Sequence, residues 1–160
     1  MMNARVRLPG CLHCWMISKQ TNKSGFTEVK KVKFNSLIPE LTVANLEQTK
    51  KFYVGILHFK IEYERPEDEF VFLSLENNQM MFEQDNGSWS VGVLKHPFGR
   101  GVNFEMTVSD IDSLYKHVLD SGITPFREIK VSHYRKGDED IIQKEFLVQD
   151  PDGYLLRFTD

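Results

Sequence analysis

Apolar and polar residues alternate over residues 36–43, and the spacing then becomes helical over 46–56, with Leu46, Phe52, Tyr53 and Ile56 near one face. Three further stretches, 59–65, 69–75 and 79–84, read as strands, separated by turn chemistry at Arg65-Pro66-Glu67-Asp68 and Glu76-Asn77-Asn78. The same order returns: a strand over 102–108, a helix over 111–121 ended at Gly122, and strands over 125–131, 142–149 and 154–159. A polar excursion, 132–140, is expected between the second and third strands of this copy. Spelling repeats along with plan. Glu40-Leu41-Thr42-Val43-Ala44-Asn45-Leu46-Glu47 returns as Glu105-Met106-Thr107-Val108-Ser109-Asp110-Ile111-Asp112, with Glu, Thr and Val identical at the first, third and fourth positions. In each copy a half-buried strand leads to Asn45 or Asp110, whose side-chain oxygen is placed to cap the next helix. One unit has been used twice. Each half-module has a sheet face that it cannot cover alone, so the expected fold is α+β: two tandem βαβββ modules forming a curved mixed sheet around a cleft.

The predicted domain spans 36–160, with modules at 36–85 and 100–160 and a linker at 86–99. No run approaches the roughly 18 apolar residues of a membrane span. Charge separates the first 35 residues from the rest. They hold seven Lys or Arg against Glu28 alone, a net +6, and taking this from the chain total of −3 leaves −9 on residues 36–160. An acidic body argues against nucleic acid as a partner and tolerates a cationic ligand. The basic segment shows no strand or helix periodicity and is expected to be a disordered extension. Cys11-Leu12-His13-Cys14 has no second cysteine pair to complete a zinc site, and Leu8-Pro9-Gly10-Cys11 lacks the preceding apolar stretch of an exported lipoprotein. Met16 is an alternative start. Residues 36–160 contain no cysteine, which fits the cytoplasm.

Strand alternation identifies the residues that face the cleft. With Ile38 and Asn103 inward, Glu40 and Thr42 follow in one module, Glu105 and Thr107 in the other. Two carboxylates then occupy equivalent places on a concave surface. Such groups must meet water, an Arg such as Arg157, or a cationic ligand. A Glu–Arg pair that closes the sheet and a ligand-binding role are both open. An acid/base dyad would lack a nucleophile or metal to work with. Tyr63, Phe70 and Phe72 lie on predicted strands, and Trp89 and Phe98 in the linker, where they would flank the cleft. His58, His96, His117 and His133 fall at helix ends, in the linker and in the excursion, positions of surface or packing residues.

The doubled plan, Ile38-Pro39-Glu40-Leu41-Thr42-Val43, the helix Lys51-Phe52-Tyr53-Val54-Gly55-Ile56-Leu57 and the closing Asp150-Pro151-Asp152-Gly153-Tyr154-Leu155-Leu156-Arg157-Phe158 resemble the glyoxalase/bleomycin-resistance/dioxygenase (vicinal oxygen chelate) superfamily. Pro39 and the Tyr134–Asp138 stretch make the bleomycin resistance proteins the closest look within it. Most enzymes of that superfamily use a divalent metal. Its ligand pattern, carried over by the repeat register to within one residue, falls here on Ile38, Phe82, Asn103 and Arg157, a set that offers little to a hard cation. No metal and no cofactor are therefore expected. The resemblance implies non-catalytic sequestration of a planar, cationic drug of the bleomycin type, held by Glu40, Tyr63, Phe70, Trp89, Asn103, Glu105, Tyr134 and Arg157. Tyr63 and Phe70 match the family's aromatic wall, whereas Glu105 and Ile142 stand where some members carry Trp. The alternatives are a metal-dependent lyase, isomerase, thiol transferase or dioxygenase of the same fold, and a binding protein for another metabolite. Family members of this size pair about a two-fold axis, so a homodimer with two equivalent clefts is implied, and Pro39, which lacks a backbone donor, suits a first strand at that junction.

Overall fold

The structure, a computed structural model, describes residues 18–21, 27–30 and 32–160. It divides into two units, residues 1–33 and 34–160. In the first, β1 (Ser18–Thr21) pairs antiparallel with β2 (Thr27–Lys30), regular structure in a segment whose sequence showed no periodicity. The Cys11-x-x-Cys14 motif and Met16 lie outside the described residues.

The second unit contains two four-stranded sheets, each with the same order. Strands β3 (Glu40–Val43), β4 (Lys60–Arg65), β5 (Phe70–Leu75) and β6 (Asn78–Gln84) are arranged β3-β6-β5-β4, and β7 (Asn103–Thr107), β8 (Arg127–Lys136), β9 (Glu139–Gln149) and β10 (Leu155–Thr159) as β7-β10-β9-β8. In both sheets the first strand runs parallel to the last and the other pairs are antiparallel. The duplicated spelling is thus a duplicated topology, on two sheets, one per module. Helix α1 (Leu46–Lys50) is capped by Asn45 Oδ1 accepting from Gln48 N at 2.9 Å, and α2 (Ile111–Asp120) by Asp110 Oδ1 accepting from Ser113 N at 2.9 Å. Residues Lys51–Ile56 continue α1 as a π-helical turn, closed by Leu57 N donating to Phe52 O. The wider turn lets the consecutive aromatics Phe52 and Tyr53 both enter the core. At the helix ends, His58 holds the left-handed backbone position that Gly122 fills in the second module, and its ring lies 4.3 Å from that of His117.

Two sequence expectations are corrected. The first strand starts at Glu40 rather than residue 36, so Ile38 precedes the sheet. The polar excursion over 132–140 is a hairpin: β8 and β9 pair from Arg127 to the Lys136–Glu139 end, around Gly137 at φ 63°. Polar residues can extend such a ribbon, because the backbone pairing of β8 with β9 holds it and its faces need not be buried.

One core joins the modules. Leu41, Val43, Val71, Leu73, Met80 and Phe82 from the first sheet meet Met106, Phe146, Val148, Leu156 and Phe158 from the second, together with Phe52, Tyr53, Leu114 and Val118 from the helices. The closing Asp150–Gly153 turn locks this junction. Asp150 accepts from Tyr53 Oη (3.0 Å), Asp152 N (3.0 Å) and Tyr154 N (2.8 Å), while Asp152 accepts from Ala44 N (3.0 Å) and from Phe98 N (2.8 Å). Gly153 is required there twice over: its φ is 89°, and a Cβ would lie 2.4 Å from that of Pro97.

Candidate functional site

Core residues occupy one parity of each strand, so the other parity defines the opposite sheet face. On the first sheet that face carries Glu40 and Thr42 from β3, Met81 and Glu83 from β6, Phe70 and Phe72 from β5, and Tyr63 and Arg65 from β4. Phe70 and Phe72 share this face, and it is Val71 and Leu73 that belong to the core. The three rings form a continuous cluster, with Tyr63 5.9 Å from Phe70 and 5.3 Å from Phe72; Tyr63 is half-buried, and Phe70 and Phe72 are buried behind it. The Arg65 guanidinium lies 3.7 Å over the Phe70 ring and is held by Asp68 through Nε at 2.7 Å. Beside this surface stand two carboxylates. Partial burial, together with the charge of Glu83, pushes the Glu40 carboxyl up, with Arg65 opposing. Burial also raises the Tyr63 phenol, so it stays protonated at neutral pH. Trp89, 66% exposed, reaches the same face from the linker, its Nε1 3.5 Å from Glu83 Oε2.

The second sheet presents a polar network instead. Glu145 on β9, fully buried, accepts from Ser132 Oγ (2.8 Å), Tyr134 Oη (2.8 Å) and Arg157 Nε (2.5 Å), with Lys130 Nζ at 3.8 Å. Arg157 also meets Glu105 Oε2 at 3.2 Å and Gln143 Oε1 at 3.2 Å, and its guanidinium lies 5.1 Å from the centre of the Tyr134 ring. Gln143 Nε2 closes the loop by donating to Glu105 Oε1 at 3.1 Å. Burial alone would push the Glu145 carboxyl up; hydrogen bonds from Ser132, Tyr134 and Arg157, with the guanidinium charge, outweigh it and hold the group below its usual range.

The two repeat-related glutamates therefore stand in different surroundings. Glu105 faces Arg157 across β7 and β10, whereas Glu40 faces Met81 across β3 and β6. The guanidinium that neutralises one carboxylate is replaced in the other module by a thioether, and a second acid, Glu83, stands nearby. Asn103 is exposed at the start of β7 on the same face as Glu105. The residues expected at the site thus fall into two groups, Glu40, Tyr63, Phe70 and Trp89 on the first face, and Asn103, Glu105, Tyr134 and Arg157 on the second. Their hydrogen-bond, ion-pair and ring partners among the described residues keep to their own sheet and its flanking loops. Sequence reasoning missed Glu83, Arg65, Gln143 and Glu145. For Glu145 the signal was present, since its alternation with Phe146 and Val148 puts it opposite the core.

One ligand position needs correction. Phe82 is fully buried in the core, and both its neighbours, Met81 and Glu83, lie on the opposite face. Met81 pairs with Glu40 as Arg157 pairs with Glu105, so the corrected set is Ile38, Met81, Asn103 and Arg157. A thioether now replaces a hydrocarbon, and Arg157 brings a cation already engaged by Glu105 and Glu145, so the set does not fit a hard divalent ion. A shallow cavity of about 230 Å³ lies elsewhere, lined by Val93, Leu94, Lys95, Pro97, Phe98, Gly99 and Arg100, without any of these residues. No helix among the described residues is long and apolar enough to cross a membrane.

Comparison with known proteins agrees with this architecture. Residues 33–158 match the model of the Glyoxalase/Bleomycin resistance protein/Dioxygenase superfamily, and the chain belongs to that superfamily. Among solved structures it is similar to a glyoxalase/bleomycin resistance protein/dioxygenase from Alicyclobacillus acidocaldarius, at 22% identity and TM-score 0.57 over 78% of this chain and 89% of the other. It is also similar to TioX from Micromonospora sp. ML1, at 17% identity and TM-score 0.61 over 79% and 98%. A superfamily member from Vibrio splendidus 12B01 is 37% identical over 75% of this chain and 92% of that one, with a TM-score of 0.36. No curated protein matches.

Proposed function

We propose that the protein binds and sequesters a planar, cationic drug of the bleomycin type without chemical change, so that resistance follows from mass action in the cytoplasm. The observation that carries this reading is the first sheet face, where the Tyr63 ring, backed by buried Phe70 and Phe72, adjoins the Glu40 and Glu83 carboxylates. Stacking suits a planar heterocycle, and a cation beside Glu40 would offset the burial and the Glu83 charge that raise its carboxyl. The aromatic and polar half-sites lie on separate faces, which supports a homodimer in which each cleft draws one half-site from each chain. Light scattering at micromolar concentration should then give twice the chain mass; a monomer would remove this part of the reading.

Calorimetric titration with metal-free bleomycin tests the function. Tyr63→Ala should weaken binding by roughly 1–3 kcal/mol, on the scale of a lost stack. Glu40→Gln should weaken it and flatten its dependence on salt. Glu105→Gln should leave affinity nearly unchanged, because Arg157 already engages that carboxylate. Equal effects of the two glutamate variants would contradict this division of roles. The two carboxylates Glu40 and Glu83 on one face favour a second reading, a metal-dependent enzyme of the same superfamily. Turnover of a small electrophile on addition of manganese or zinc, with no binding of bleomycin, would replace the first reading by the second.

A further inference from the structure

Phe72 lies on the open face of the first sheet, yet it is fully buried. Its cover includes Phe34, six residues before β3, whose ring stacks on Phe72 at 5.4 Å with the planes inclined by 23°, while Tyr63 flanks Phe72 at 5.3 Å. That near-parallel stacking is the geometry a planar aromatic ligand would take. The adjoining residue fixes the segment: Asn35 N donates to Gln79 Oε1 at 2.7 Å, and Asn35 Nδ2 donates to the Asn77 carbonyl at 2.6 Å. Residues 34 and 35 belong to no strand or helix, and Phe34 is 51% exposed. The contact is therefore a local clip, and releasing it breaks no sheet ladder.

Building on the reading of this face as a ligand surface, we propose that Phe34 is a built-in occupant of the Phe72 seat, and that a planar aromatic ligand gains the seat by displacing it. Affinity is then set by competition with the chain itself, since only the fraction of molecules with the segment released is competent to bind. The geometry also fixes the order of events, because the Phe72 ring is inaccessible until Phe34 leaves.

The test uses proflavine, a planar cationic tricycle, followed by its fluorescence on the full chain, on Phe34→Ala and on Asn35→Ala, beside a parallel titration with bleomycin. Phe34→Ala should bind proflavine about tenfold more tightly than the unaltered chain. Asn35→Ala, which loosens the clip and keeps every aromatic ring, should bind a few-fold more tightly. Hydrogen exchange of the Asn35 amide should quicken when the unaltered chain is saturated. Weaker or unchanged binding by Phe34→Ala, slower exchange of the Asn35 amide on saturation, or no proflavine binding by any of the three proteins would overturn the proposal. If proflavine behaves as expected and bleomycin does not bind, the displaced occupant stands and the identity of the drug falls.

Discussion

Replacing Glu145 by Ala is expected to lower stability by about 3–5 kcal/mol, the largest effect of any substitution at the candidate site. The carboxylate is fully buried and receives Ser132, Tyr134 and Arg157, so its removal leaves two hydroxyls and a guanidinium without their common acceptor. Arg157, one-fifth exposed, keeps Glu105 and some water, which places the expected loss towards the lower end. Denaturant unfolding of Glu145→Ala, Arg157→Ala and the double variant separates the terms. The double variant should cost clearly less than the sum of the singles, because removing both partners leaves no buried charge. Additive losses would show that the pair acts as two independent groups. The pH dependence has a definite sign. The Glu145 carboxyl is held below its usual value of 4.5, so its stabilising contribution is present above that pH and is lost as pH falls through the lower, folded value.

Asp150, five residues further along the same strand and turn, is expected to behave in the opposite sense. Burial pushes its carboxyl up from 3.8 to about 6, against the hydrogen bonds from Tyr154 N and Tyr53 Oη. Its ionisation therefore opposes folding. The penalty is absent below about pH 4, grows as pH rises from 3.8 to about 6, and is constant above. Two units correspond to about 3 kcal/mol. Asp150→Asn preserves the shape: Oδ1 can still accept from the Asp152 and Tyr154 amides, and the new amide can donate to Tyr53 Oη. The variant should match the unaltered chain near pH 4 and exceed it at pH 7 by up to about 3 kcal/mol. Unfolding curves at pH 4, 5, 6 and 7 test this, and a loss of stability equal at every pH would show that the charge is needed to hold the turn.

The contrast between these two acids shows where the sequence was legible. Alternation put Glu40 with Thr42, and Glu105 with Thr107, opposite the core of each module, because a strand's period is fixed by its own backbone, but the two pairs lie on separate sheets. The capping oxygens of Asn45 and Asp110 were equally local, and both act as expected. Register between strands was less accessible. A one-residue error put Phe82 on the open face in place of Met81, since a period of two turns any such slip into a change of face. The extension of the β8–β9 hairpin through residues 132–140 was missed because this stretch is largely polar, so no buried stripe marks it, and only backbone pairing across the ribbon reveals the strands.

The chain by itself determined the duplicated βαβββ plan, the helix caps, the closing turn and the parity of the strand faces, since each depends on residues a few positions apart. Tertiary structure alone decided the pairings. It set Arg157 opposite Glu105 and Met81 opposite Glu40, gathered Ser132, Tyr134 and Arg157 around Glu145, brought Tyr53 to Asp150 across 97 residues, and laid Phe34 on Phe72. These are contacts between residues far apart in the chain, and their energies depend on burial and distance, quantities that no local pattern of residues contains.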